Sequence, residues 1–581
     1  MKPLSTLPKE PSIHRTGGYA LMMVMLFGGV GILALAGALR WVQTNGTLIH
    51  RSNQNFRATA AAEAATEKVL TRLSRDFKNS GENTAYGNLS TYRTLVPTST
   101  DNALWGDFTF SDAQGNNGQT YVSRTASSVY APLESQYSGL LGFASTYRIV
   151  SNARESSALF NVSGAVQQDI QLASIPIFQF AIFYSGDMEL NGAATLHVRG
   201  RVHGNSNFYL GSSANQYFYE DVTVSGSIQF GSRYGWSTNG GTIFFYDTRE
   251  TNRTALTLPI GTNNTPAAVR EVLNIPPASE DIDSAMGRER YYNKADLVIL
   301  VSNSTVSVGV KQQNTSGLTT IPWLATTNFI STNKTFIDQR EAGKTVQTTE
   351  IDVGKFITWA ATNTTVSTTL GSGVTPSLIY VGDFRTETSS KMNGVRLVNG
   401  QTLPNTGLTV ATPNPLYTKG HYNQPTSGHL GTTNTANTKP ASLVSDAYTL
   451  LSSSFSDAAS GSGYSSRVAA DTTVVAALVT GNVVSGSVYS GGVNNLPRLL
   501  EAWSGRTFTL NGSLVCLYNS AKATNVFQSP GVYYSAPTRN INFDPNLMDS
   551  TKLPPGTPAM RVIVRGKWNT PPINTTTYVG S

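Results

Sequence analysis

Six histidines are spread along the 581 residues, and only two pairs fall close together: His197 with His203, and His421 with His429. The first pair has Asp187 and Glu189 nearby, which are residue types that bind divalent ions. Neither a His-x-His nor a His-Glu-x-x-His spacing occurs, so these side chains read as surface positions beside turns and no metal is expected. Hydrolysis of a glycoside needs two carboxyl groups held at a fixed separation. Glu220 and Asp221 are neighbours and point to opposite faces of a strand, so they do not cooperate easily. The run Ala459-Ser460-Gly461-Ser462-Gly463 misses the Gly-x-Ser-x-Gly elbow of a serine nucleophile. A single cysteine, Cys516, lies in the apolar text Leu514-Val515-Cys516-Leu517, where a small core hydrophobe is expected. One thiol excludes an intrachain disulfide and any zinc cluster built on cysteines. The chain therefore reads as non-catalytic and free of cofactors. Tyr217, Tyr219 and Trp236 remain as candidate contacts for a polysaccharide or protein ligand.

Charged residues make up 13% of the chain, about half the usual share. Thr, Ser, Asn and Gly must supply the polar surface, and such residues suit pleated strands joined by tight turns. The net charge of +7 is spread thinly, with no Lys/Arg run interleaved with aromatics, so nucleic-acid binding is not expected.

The elements that position everything else begin at the N-terminus. Residues 1–18 are polar, carry Lys2, Lys9 and Arg15, and end in Thr16-Gly17-Gly18. An uncharged stretch then runs from Tyr19 through Leu21, Met23, Leu26 and Leu33 to Leu39, closed by Arg40. At 1.5 Å per residue about 20 residues cross the ~30 Å hydrocarbon layer, so 19–39 is expected to span a membrane. Positive charge before the span predicts a cytoplasmic N-terminus and an exported body. Ala34-Leu35-Ala36 and Ala36-Gly37-Ala38 fit signal-peptide cleavage, but both lie inside the apolar run. Beyond Arg40, Ile49, Phe56, Leu70, Leu73 and Phe77 recur at helical spacings around the alanine-rich run 58–65, which predicts one apolar stripe. One helix from about Tyr19 to Phe77 is expected; two helices hinged at Asn45-Gly46 are the alternative.

These N-terminal residues resemble a type IV prepilin signal. The resemblance implies cleavage between Gly18 and Tyr19 by a prepilin peptidase. The run Ala61-Ala62-Glu63-Ala64-Ala65-Thr66-Glu67 resembles the stretch that follows the membrane segment in PilX-type proteins. Most pilins carry glutamate at the fifth mature position, where this chain has Met23, and that departure fits a minor subunit better than a major one.

Residues 79–170 are expected to form a small α+β region packed on the helix, and 171–581 a β-rich extracytoplasmic body. In that body, short alternating strands (Met188 and Leu190, Leu196 and Val198, Phe208 and Leu210, Val222 and Val224) are separated by Asn191-Gly192, Gly200 and Gly204-Asn205. The texture returns over Val474–Val479 and Thr507–Leu517, which predicts a solenoid-like surface assembled from both segments. An ordinary β-sandwich fits the same pattern. Pro440 to Ser452 reads as one short helix through Leu443, Ala447 and Leu450-Leu451. The stretches Val202–Asn205, Tyr291–Ile299, Leu416–Asn423 and Leu496–Trp503 resemble large PilX-type proteins of the Verrucomicrobia. Taken together, the fold expected is mainly β with a long N-terminal helix and a solenoid-like or stacked-sheet body. The resemblance implies an inner-membrane, single-pass envelope component that meets prepilin peptidase and other pilin-like subunits.

Overall fold

The computed structural model describes residues 17–133, 140–231, 240–258, 263–483, 491–527 and 532–572. Residues 1–16 of the polar leader and Trp236 lie outside the described residues.

A single α-helix, Gly17–Ser80, runs 64 residues without a break at Asn45-Gly46. Its two halves have opposite surroundings. From Ala58 onward Ala58, Ala61, Ala62, Ala65, Val69, Leu73 and Phe77 are buried. The small side chains let an antiparallel sheet approach closely: a Cβ on Gly164 would stand 2.4 Å from the Thr59 backbone nitrogen. The predicted stripe divides here. Leu70, Leu73 and Phe77 are buried, whereas Ile49 and Phe56 are 59% and 70% exposed. The sheet packed on the helix, the head, covers its apolar face only from Ala58 onward; before it Arg57 still reaches Glu155 at 2.8 Å, but Ile49 and Phe56 are left bare.

That sheet is five-stranded. The strand Leu141–Glu155 pairs on one edge with Phe108–Ser111 and Tyr121–Pro132, and on the other with Ser163–Pro176. The last member, Ala559–Asn569, returns from the far end of the sequence to pair with Ser163–Pro176. Arg565 forms an ion pair with Glu67 at 2.6 Å, which ties this returning strand to the helix.

After Pro176 the chain winds into parallel rungs. Ile182–Tyr184, Val202–Gly204, Val222–Val224 and Arg249–Glu250 stack as one column. Met188–Gly192, Phe208–Ser212 and Ile228–Phe230 form a second. Leu196–Arg199, Gln216–Phe218 and Ile243–Phe245 form a third. Each turn of the first rungs takes 20 residues, as in the His203–Thr223 contact. Inward residues such as Ile182, Val202, Val222, Leu190, Leu210, Val198 and Phe218 fill the solenoid core.

A second run builds the rest of the stack. Leu297–Val301, Leu378–Asp383, Leu408–Lys419, Ala441–Leu451, Thr472–Asn482 and Thr507–Asn519 pair in parallel, each with the next. Thr507–Asn519 then pairs with Ile182–Tyr184, and Thr538–Phe543 pairs with Leu196–Arg199. The last rungs of the second run therefore sit against the first rungs of the first, and one continuous stack results. At the far end Leu297–Val301 is covered by the antiparallel strands Val306–Val310 and Thr319–Ile321.

The body is thus a stack of parallel strands on a long helix. A further local expectation is overturned: residues 441–451 are a strand, buried at every position. A strand covered on both faces loses its alternation, and the spacing of Leu443, Ala447 and Leu450 then imitates a helix.

Candidate functional site

Tyr19, Leu21, Met23, Leu26, Leu33 and Leu39 are each between 55% and 81% exposed. A bare apolar surface of this length is unfavourable in water, at roughly 25 cal/mol per Å2. The helix is long and apolar enough to cross a membrane, and it is the one such helix among the described residues. Gly17 and Gly18 already belong to it, and its first turn carries no acidic side chain.

A second surface lies on the solenoid, built from the Leu196–Arg199 column. Parallel in-register pairing places identical positions of successive rungs one strand spacing apart. His197, Tyr217 and Phe244 are in register, and their rings stack with centroids 4.7 and 4.9 Å apart and planes within 6°. Two residues on, the Arg199 guanidinium lies 4.7 Å over Tyr219, which stacks on Tyr246 at 5.1 Å. The Tyr219 hydroxyl and His197 Nδ1 are 3.0 Å apart. Burial and the nearby Arg199 charge hold the His197 pKa below its ordinary value, which favours the neutral ring. The predicted residues Tyr217 and Tyr219 are thus brought together in a ladder whose ring faces are largely occupied by one another. Arg199 and Tyr246 are exposed at its edge.

Asn542 and Asn511 extend the same face towards the second run, linked by Asn542 Nδ2 donating to Asn511 Oδ1 at 2.9 Å. There residues 431 and 432 lie over it: the Gly431 amide donates to Thr473 Oγ1 and Asn511 Nδ2 to the Thr432 carbonyl, both at 2.8 Å. The ladder begins where this cover stops. The sequence drew attention to two of its tyrosines and, as one of a histidine pair, to His197; Arg199, Phe244 and Tyr246 carry no linear signal, because their partners are a full rung away.

The remaining chemistry-bearing residues serve structure. His203, expected at the surface, is instead buried: its ring is sandwiched against Phe180 and Phe183, with Nδ1 2.9 Å from Thr223 Oγ1. Asp187 accepts from Ser206 Oγ at 2.6 Å and from the Asn207 amide at 3.2 Å, which fixes a turn. Asp221 accepts from Thr248, in the adjoining rung. His421 Nδ1 accepts from the Thr473 amide at 3.0 Å, whereas His429 contacts Asn434. Cys516 is buried, and burial pushes its thiol up to about 12, far from a reactive range. Among the described residues no group of three or more His, Cys, Asp or Glu side chains gathers around a metal-sized space.

No protein family matches this sequence, and no curated protein does. Among solved structures, the competence-associated pilin ComZ from Thermus thermophilus overlaps 89% of this chain and 98% of its own, at 12% identity and a TM-score of 0.29.

Proposed function

We propose that this protein is a non-catalytic, pilin-like component of the bacterial envelope, of the PilX-like minor type. The observation that carries this reading is the division of one 64-residue helix into a bare apolar half and a half that forms the spine of an antiparallel sheet. That division suits a subunit held in lipid before assembly and by neighbouring helices afterwards. The resemblance of residues 1–18 to a prepilin leader supports processing between Gly18 and Tyr19. In this reading the N-terminus faces the cytoplasm of the inner membrane, and the solenoid is carried outward as a display surface. The partners are prepilin peptidase and other pilin-like subunits. Met23, in place of the glutamate common in pilins, favours a rare subunit over a repeating one.

The test is recovery of an affinity-tagged chain from host membranes, followed by identification of co-purifying subunits. Pilin-like proteins should co-purify, and the yield should fall when Leu26 and Leu33 are replaced together by lysine. Recovery of the native chain without any pilin-like protein would count against the reading. A second reading, carbohydrate binding by the solenoid, is favoured by the exposed ladder and by the cleft described next.

A further inference from the structure

The strand Thr507–Asn519 pairs over its first half with Thr538–Phe543 and over its second with Ile182–Tyr184, so it passes from one face of the solenoid to the next. The passage falls at Gly512, where φ is +156° and a Cβ would stand 2.0 Å from the Ala476 carbonyl oxygen. A cavity of about 410 Å3 opens beside this corner. Ala476, Ala477 and Gly512 line it with little or no side chain, while Asn405, Asp544 and Lys552 line it with polar groups.

Asp544 decides what the cavity fits. Its side chain belongs to a residue only 7% exposed. Oδ1 accepts from Thr435 Oγ1 at 2.8 Å and from the Asn546 amide at 3.1 Å, and no described group donates to Oδ2 of this lining residue. A lone carboxylate is too few ligands for calcium, which takes six to eight oxygens. Nor does the site suit an anion, because Asp544 offsets Lys552, whose Nζ is also engaged with Asn546 Oδ1 at 3.2 Å. A wholly apolar guest would leave the buried carboxylate without a partner on that side, which is costly. A neutral guest with hydroxyls on its edge and C–H groups on its face satisfies both kinds of lining. The volume lies within the range of small-ligand sites.

We propose that this cleft binds a sugar unit of a neutral polysaccharide, with Asp544 Oδ2 accepting from its hydroxyl groups and Ala477 meeting its C–H face. The site does not depend on membrane assembly, so it stands or falls separately from the pilin-like reading.

The test uses the full chain in detergent, immobilised for biolayer interferometry. The probes are neutral hexasaccharides of glucose, mannose and galactose, chitohexaose, a uronic-acid hexasaccharide, and polysaccharide extracted from the producing cells. At least one neutral probe should bind. D544A should weaken it by about tenfold or more, the effect of losing a hydrogen bond to a charged group. Because Asp544 also caps the turn Pro545–Met548, a second variant, N405W, fills the cleft from an exposed position and should weaken binding to the same degree with the melting temperature unchanged. Binding to the cells' own polysaccharide would mark an envelope ligand; binding only to the defined probes would mark a foreign one, and both support the cleft. Absence of neutral binding, preference for the uronic-acid probe, or unaltered binding by N405W would overturn the proposal.

Discussion

The Ser185 hydroxyl donates to the Leu517 carbonyl at 2.7 Å and joins residues 332 positions apart. This bond lies where the two strand runs meet, beside the in-register pair Ile182 and Leu514. Both side chains are buried in the solenoid core, so neither run completes its apolar interior alone. Replacing Leu514 by alanine should cost about 2–5 kcal/mol. Because repeats stabilise one another through neighbouring interfaces, protection from hydrogen exchange should fall in rungs on both sides of the junction. Loss confined to residues 507–519 would contradict one continuous stack.

The head should be sensitive at Gly164. Any side chain there meets backbone atoms of the long helix, at 2.4 Å for Thr59 N and 2.7 Å for Ala58 C. G164A should destabilise the protein by about 1–3 kcal/mol, and G164V by more, since the obstruction is backbone and the sheet must move. Thermal unfolding of the two variants against wild type measures this, and an unchanged G164V would refute the close approach.

In the last described rung of the first run, Arg249 occupies the position held by Ile182, Val202 and Val222 in the rungs before it. Its guanidinium lies 4.9 Å over Phe245 and 5.8 Å over Phe230, which is itself 59% exposed. Arg249 is itself exposed, and a charge on a terminal rung discourages another strand from adding there. R249L should therefore raise the weight-average mass in sedimentation velocity. A mass equal to wild type across a concentration series would remove this role.

His203 makes stability depend on pH. Burial lowers its pKa to about 4 in the folded protein, with the nearby Arg201 charge acting in the same direction, against an ordinary value of about 6.5. The unfolded chain binds the proton first as pH falls. The contribution is intact above about 6.5 and is lost from there down to about 4, at up to about 1.4 kcal/mol per pH unit. H203Q should show a flatter stability profile across that window in urea titrations. A slope identical to wild type would mean that another group governs it.

How much of this was legible in the sequence depended on the range of the contacts. The long helix announced itself through an uninterrupted apolar span and an alanine-rich continuation. Successive short strands with Gly and Asn corners announced the stacking, since each rung is a local event. Long-range closure left no local mark: nothing in Ala559–Asn569 says that it pairs with Ser163–Pro176, and nothing in Leu514 points to Ile182. Period alone misread residues 441–451, where burial on both faces removed the alternation that would have marked a strand. It also joined Ile49 and Phe56 to a stripe that the head covers only from Ala58 onward. At the candidate sites Tyr217 and Tyr219 stood out by type. Asp544, in the turn-like text Asp544-Pro545-Asn546, did not.

The most direct test of the pilin-like reading is the mature N-terminus, determined by mass spectrometry after co-expression with the host's prepilin peptidase, with and without Gly18→Ala. The account predicts a chain that begins at Tyr19 and retains its leader in the variant. A chain that still begins at Met1, or one cut elsewhere in both forms, would contradict it.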